Sequence, residues 1–224
     1  MLGFLQDPEG AAVDLMRALA TVSPTLDADV LSVLARHRTT FTTGQLRRVL
    51  DRGSEEGIRR VLRRLTAQGI VLAERVGPAY AYRLNHEHLA APHITRLADL
   101  FSTLLERLEA ELAGWSPPPV YAAVFGSTVR RTATSESDLD LFLVRPDRSA
   151  EDDWDAQVTA LTSEATRWTG NDTRALQYTE RELDLAVEQG DAVLREVARD
   201  ALTIAGSRSW FDGRVRGLAA GVAG

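Results

Sequence analysis

The sequence predicts an α+β protein in two parts, a helical region closed by a β-hairpin followed by a small mixed α/β region. Three observations carry this. Apolar residues recur at helical spacing through the first part; Gly77-Pro78 separates two short apolar runs; and after Ser116-Pro117-Pro118-Pro119 short apolar runs alternate with helical segments.

In the first part, Asp7-Pro8-Glu9 reads as an N-cap followed by proline at the first helical position, opening a helix that Ser23-Pro24 stops. Residues 27–37 predict a second helix with Val30, Leu31 and Leu34 inward, and residues 43–50 a third with Leu46 and Leu50 one turn apart. Ser54 caps a fourth, in which Ile58, Val61, Leu62 and Leu65 form one stripe before Gly69 ends it. Burial of that stripe turns Arg59, Arg60, Arg63 and Arg64 outward. Residues 70–76 and 79–84 then predict a strand pair. A single long helix is expected over 91–115, with Pro92 in its first turn and Leu97, Phe101, Leu104, Leu108 and Leu112 spaced by threes and fours.

In the second part, residues 120–125, 139–144 and 173–178 predict strands. Residues 151–168 predict a helix with Trp154, Val158, Leu161, Ala165 and Trp168 on one face, where the tryptophans serve packing. Thr179 with Glu182 forms a capping box, and Asp191 caps a last helix to about residue 202. The expected division is an N-terminal helix at 1–24, a helical and hairpin domain at 25–90, a connecting or dimerisation helix with its proline linker at 91–118, the α/β domain at 119–212, and a loose Gly/Ala-rich tail at 213–224.

The 224 residues, 44% hydrophobic and 26% charged, exclude the disordered and fibrous classes. No apolar run approaches the ~20 residues that cross a bilayer. The first ten residues carry Asp7 and Glu9 without a basic lead, so no secretion signal is read and a cytoplasmic location is expected. Absence of cysteine excludes disulfides and cysteine-type zinc sites. His86, His88 and His93 straddle a strand end and a helix start, which reads as a polar boundary rather than a metal cluster.

All 26 basic residues are arginine, and the net charge is −6. Between positions 36 and 64 nine arginines face three acids. A basic segment in an otherwise acidic chain is the footprint of a surface that meets phosphate. The order of three helices and a hairpin resembles the winged helix-turn-helix regulators over about residues 25–85. That resemblance implies double-stranded DNA as partner, with Arg59, Arg60 and Arg63 in the major groove, Arg47 and Arg48 on phosphates, and Arg75 on the wing. It also implies a homodimer through the helix at 91–115, against the alternative of a helix packed on its own domain.

The chemistry lies in Val124-Phe125-Gly126-Ser127, ten further residues, and Asp138-Leu139-Asp140-Leu141. Gly126 has no Cβ to keep a phosphate from the backbone, and Ser127 brings a hydroxyl and an amide. Asp138 and Asp140, two apart on a strand, project from one face while Leu139 and Leu141 enter the core. Two hard oxygen ligands suit Mg²⁺ when substrate phosphates complete its shell.

Phe125-Gly126-Ser127-x-x-Arg130 through Ser137-Asp138-Leu139-Asp140-Leu141 resembles the signature of the minimal nucleotidyltransferases of the DNA polymerase β superfamily. The resemblance covers residues 120 to about 205. It implies ATP or another nucleoside triphosphate held by Gly126, Ser127 and Arg130 or Arg131, and one or two Mg²⁺ ions on Asp138 and Asp140. It implies transfer of a nucleoside monophosphate with pyrophosphate leaving. The family also places a third carboxylate on a later strand. Here Arg174 or Gln177 stands in its place, leaving Asp172 as the nearest candidate and transfer itself open. The leading expectation is a DNA-binding regulator whose second domain senses a nucleotide. The alternatives are an enzyme adenylylating a protein, tRNA or small molecule, and an antitoxin-like partner of a toxin.

Overall fold

The computed structural model describes residues 17–50, 52–130 and 137–219, with side chains to 216. The described chain is a mixture of helices and two small sheets, and it divides at residues 102 and 103. Among the described residues no helix is long and apolar enough to cross a membrane.

The unit spanning residues 17–102 contains α1 (Ala18–Val22), α2 (Leu26–Arg36), β1 (Phe41–Thr42), α3 (Thr43–Val49), α4 (Glu55–Ala67), β2 (Val71–Val76), β3 (Ala79–Leu84) and α5 (Ala91–Ala98). The predicted first helix overlaps α1; its opening at Asp7 lies outside the described residues. Thr42 and Gln45 form a reciprocal capping box on α3, and the Ser54 hydroxyl accepts from the Gly57 amide to start α4. Ile58, Val61, Leu62 and Leu65 are buried and join Leu34, Leu46, Val71 and Leu84 in one core. The sheet order is β1-β3-β2, antiparallel throughout.

The single helix expected over 91–115 is in fact two, α5 and α6 (Leu100–Ala113). They break at Asp99, which sits at φ −109° and ψ 24° and accepts a 2.7 Å hydrogen bond from the Ser102 hydroxyl. A short carboxylate that bonds its own neighbourhood competes with the helical ladder, which periodicity alone does not register. Leu104, Leu108 and Leu112 are buried within the single chain, so that stripe is already covered.

The second unit contains β4 (Tyr121–Phe125), α7 (Ser127–Arg130), β5 (Leu139–Arg145), α8 (Glu151–Thr169), β6 (Thr173–Thr179), α9 (Glu180–Glu188), α10 (Ala192–Asp200), β7 (Leu202–Gly206) and α11 (Arg208–Ala219). Its sheet order is β6-β5-β4-β7, with β5 and β6 parallel and the other pairs antiparallel. Two departures from expectation fall near the C-terminus. Residues 202–206, where a helix was expected to end, form β7 beside β4, and residues 213–219, expected as loose tail, are the later turns of α11. Phe211 and Val215 are buried there, so packing overrides a Gly/Ala-rich composition.

Strand pleating sorts this unit into two faces. On one, Tyr121, Ala123, Phe142 and Val144 pack with Leu183 of α9, Leu194 and Val197 of α10 and Phe211 of α11. On the other, the Trp154 indole N–H of α8 donates to the Gln177 amide oxygen at 2.7 Å. The register pairs Leu143 with Gln177 and Asp140 with Arg174, so Gln177 shares the α8 face with Leu139, Leu141 and Leu143. Asp140 and Arg174 share the opposite face.

Candidate functional site

β4 ends at Phe125, and the chain then turns through Gly126 at φ +83°, a conformation that favours glycine. A Cβ at this position would collide with Oδ2 of Asp140. The bare glycine thus lets the Asp140 carboxylate lie against the turn from which Ser127 opens α7. Asp140 faces Phe125 on β4, and Asp138, just before β5, reaches the same Arg174 that lies beside Asp140.

The backbone around Asp138 is fixed by buried polar side chains. Thr128 donates its hydroxyl to the Asp138 carbonyl at 3.3 Å, and Asn171 donates its amide to the Ser137 carbonyl at 2.9 Å. The Leu139 amide donates to the Asp172 carbonyl at 2.8 Å. Both Thr128 and Asn171 are buried. The sequence reading missed these two positioning residues; the signal available was an asparagine directly after the helix-ending Gly170, a place where side-chain to backbone bonds are common.

Burial pushes the Asp140 carboxyl above its ordinary range, and the like charge of Asp138 adds to the effect, while Arg174 and Arg130 oppose it. Two neighbouring carboxylates, one of them pushed up by burial and by the charge of the other, are a fitting pair for one divalent cation. The donor set does not extend to a second. Arg174 donates from a terminal nitrogen to Asp138 Oδ2 at 2.9 Å and from Nε to Asp172 Oδ2 at 3.2 Å. Among the described residues no group of three His, Cys, Asp or Glu is arranged to hold a metal. Of the two β6 residues, Gln177 is turned to α8 and Arg174 lies beside Asp140.

Asp172 stands just before β6, largely exposed and paired with Arg174. Arg130 reaches α10, with a terminal nitrogen 3.1 Å from Glu196 and 3.8 Å from Asp200. Arg131 lies outside the described residues.

The arginines expected to meet DNA belong to the other unit. Arg60 and Arg63 are exposed on α4, while Arg59 is paired with Glu55 and Glu56, and Arg64 with Asp27. Arg59 and Arg63 line a groove of about 670 Å³ together with Thr42, Tyr80 and Tyr82. Arg47 and Arg48 are exposed on α3 and bond the Leu50 and Gly44 carbonyls, and Arg75 bonds the Gly77 carbonyl in the hairpin turn. His88 Nδ1 accepts from the Ala90 amide at 3.1 Å.

No curated protein matches this chain. It is similar to a solved structure described as a toxin-antitoxin with AMP-PNP, at 12% identity and a TM-score of 0.37, covering 53% of this chain and 83% of that one. A mutant of the toxin-antitoxin MntA-HpeT is similar at 9% identity and a TM-score of 0.37, covering 52% and 84%. The sequence matches the family model described as "Nucleotidyltransferase domain" over residues 105–208, the span that holds the Gly-Ser turn and both aspartates.

Proposed function

We propose that the second unit binds a nucleoside triphosphate together with one divalent cation, the phosphates lying over the Gly126-Ser127 turn and the cation on Asp138 and Asp140. The packing of the Asp140 carboxylate directly onto Gly126 carries this reading. It puts the carboxylate oxygens that would take the cation against the turn whose Ser127 hydroxyl and amide would meet the phosphates. Ser127 contributes a hydroxyl and an amide, Arg130 adds positive potential, and Thr128 and Asn171 hold the strand that presents the acids. A bound Mg²⁺ supplies charge neutralisation on the phosphates. Calorimetry with ATP, GTP, CTP and UTP in Mg²⁺ tests the reading. Binding of at least one that is lost in Asp140→Asn supports it, and no heat with any of the four refutes it. Transfer would require an acceptor of protein, tRNA or small-molecule class, and label incorporated from α-labelled nucleotide is the measurement that separates transfer from binding.

A second reading concerns the first unit, and a specific observation favours it. Three helices followed by a hairpin, with β1 joining the hairpin sheet, leave the arginine face of α4 outward. This supports a winged helix-turn-helix reader of double-stranded DNA, in which Arg60 and Arg63 have the best access and Arg59 must first leave its glutamates. Together the two readings describe a nucleotide-sensing DNA-binding regulator. Mobility shifts with genomic fragments test the second; fragments that migrate unchanged at low salt count against it.

A further inference from the structure

We infer that Arg174 takes the place of a second divalent cation, making this a one-metal site that holds its nucleotide without equipping an acceptor for attack. The inference rests on the triphosphate reading above.

Placement is the first argument. The parallel register sets Arg174 beside Asp140 at one strand spacing, ~4.8 Å between strands. The next residues of β6 on that face, Leu176 and Tyr178, offer no carboxylate, and Gln177 faces α8. Of the β6 side chains on this face, the one beside the aspartate pair is therefore a cation.

Occupancy is the second. The guanidinium sits 2.9 Å from Asp138 Oδ2, on an oxygen that a second ion would need at ~2.0–2.1 Å. It also engages Asp172, the acid just before β6, with its Nε 3.2 Å from Asp172 Oδ2. Arginine keeps its charge at any pH at which the protein is folded, so this cation cannot be titrated away. Its planar fork matches carboxylate and phosphate alike, so it can neutralise phosphate charge as a metal would. It differs from a metal and a carboxylate in one respect: it accepts no proton. An acceptor hydroxyl arriving beside Arg174 meets no base on β6.

The test counts metal ions. Mn²⁺ bound per chain is measured by electron paramagnetic resonance on the full-length protein saturated with the β,γ-imido analogues of ATP and of GTP in turn. The expected result is one Mn²⁺ per nucleotide-bound wild-type chain and two in Arg174→Asp, with Arg174→Glu as a second carboxylate variant should the first not fold. Arg174 is 67% exposed, so the exchange leaves the core untouched. Arg174→Ala, which removes the charge and adds no ligand, is expected to remain at one. Two ions on the nucleotide-bound wild type, or one ion on both folded carboxylate variants, overturns this inference alone. A wild-type chain that binds neither analogue overturns it together with the triphosphate reading.

Discussion

Replacing Gly126 by alanine brings two separable physical effects to bear on the same atom pair. At φ +83° a residue with a Cβ costs about 1–2 kcal/mol relative to glycine. The new methyl also meets Asp140 Oδ2, and the carboxylate must rotate off its preferred rotamer, which costs about 0.5–1.5 kcal/mol. The single variant should lose roughly 2–3 kcal/mol, of which only the rotamer part depends on Asp140. In an Asp140→Ala background, Gly126→Ala should therefore cost about 1 kcal/mol less than in the wild type. Urea denaturation of wild type, both single variants and the double variant measures this coupling. Sites that do not interact add within ~0.3–0.5 kcal/mol, so a coupling below that limit would falsify the close approach of Gly126 and Asp140. Ligand provides an independent readout. A nucleotide at about a hundredfold above its Kd stabilises the wild type by ~2.7 kcal/mol, an increment Gly126→Ala should largely lose.

Three further outcomes are expected. Asp140→Asn should melt higher than wild type at pH 7 although it loses Mg²⁺-nucleotide binding: a carboxyl raised in the folded state contributes stability fully present below its unfolded value of 3.8 and lost as pH rises through the folded one, so melts from about pH 4 to 8 should be flatter in the variant. Asn171→Ala removes the amide that braces Ser137 and should cost about 1–3 kcal/mol in denaturant titrations while weakening nucleotide binding; a variant as stable and as tight-binding as the wild type denies Asn171 its positioning role. Replacing both Arg60 and Arg63 by alanine should weaken DNA binding and lower the slope of log affinity against log salt by about 1 per arginine, and an unchanged slope excludes these two from phosphate contact.

The parts legible in the sequence were those that depend on neighbours close in the chain. The Ile58, Val61, Leu62 and Leu65 stripe fixes α4 and its outward arginines, and the two-residue spacing of Asp138 and Asp140 puts both on one strand face. Hairpin strands β2 and β3 follow from Gly77-Pro78 between apolar runs. What could not be read depends on pairing across distance. The facing of Arg174 against Gln177 needs the β5–β6 register and the position of α8. The pairing of Arg130 with Glu196 and Asp200 likewise depends on a helix far along the chain. Composition misled at the C-terminus, where Phe211 and Val215 carry helix α11 into the core despite their glycine and alanine neighbours.

That last helix has a consequence for where this domain ends. The family match stops at residue 208, yet the Phe211 ring lies almost parallel to Tyr121, centroids 4.6 Å apart and 6° between planes, and meets Phe142 edge-on at 5.5 Å. Phe142 is the next residue on the face that carries Asp140. A fragment trimmed to the matched span would retain Gly126, Ser127, Asp138 and Asp140 and still strip an aromatic floor from beneath them, a loss of the order of 3–5 kcal/mol for one buried phenylalanine. The boundary drawn by resemblance and the boundary drawn by packing differ here by most of a helix.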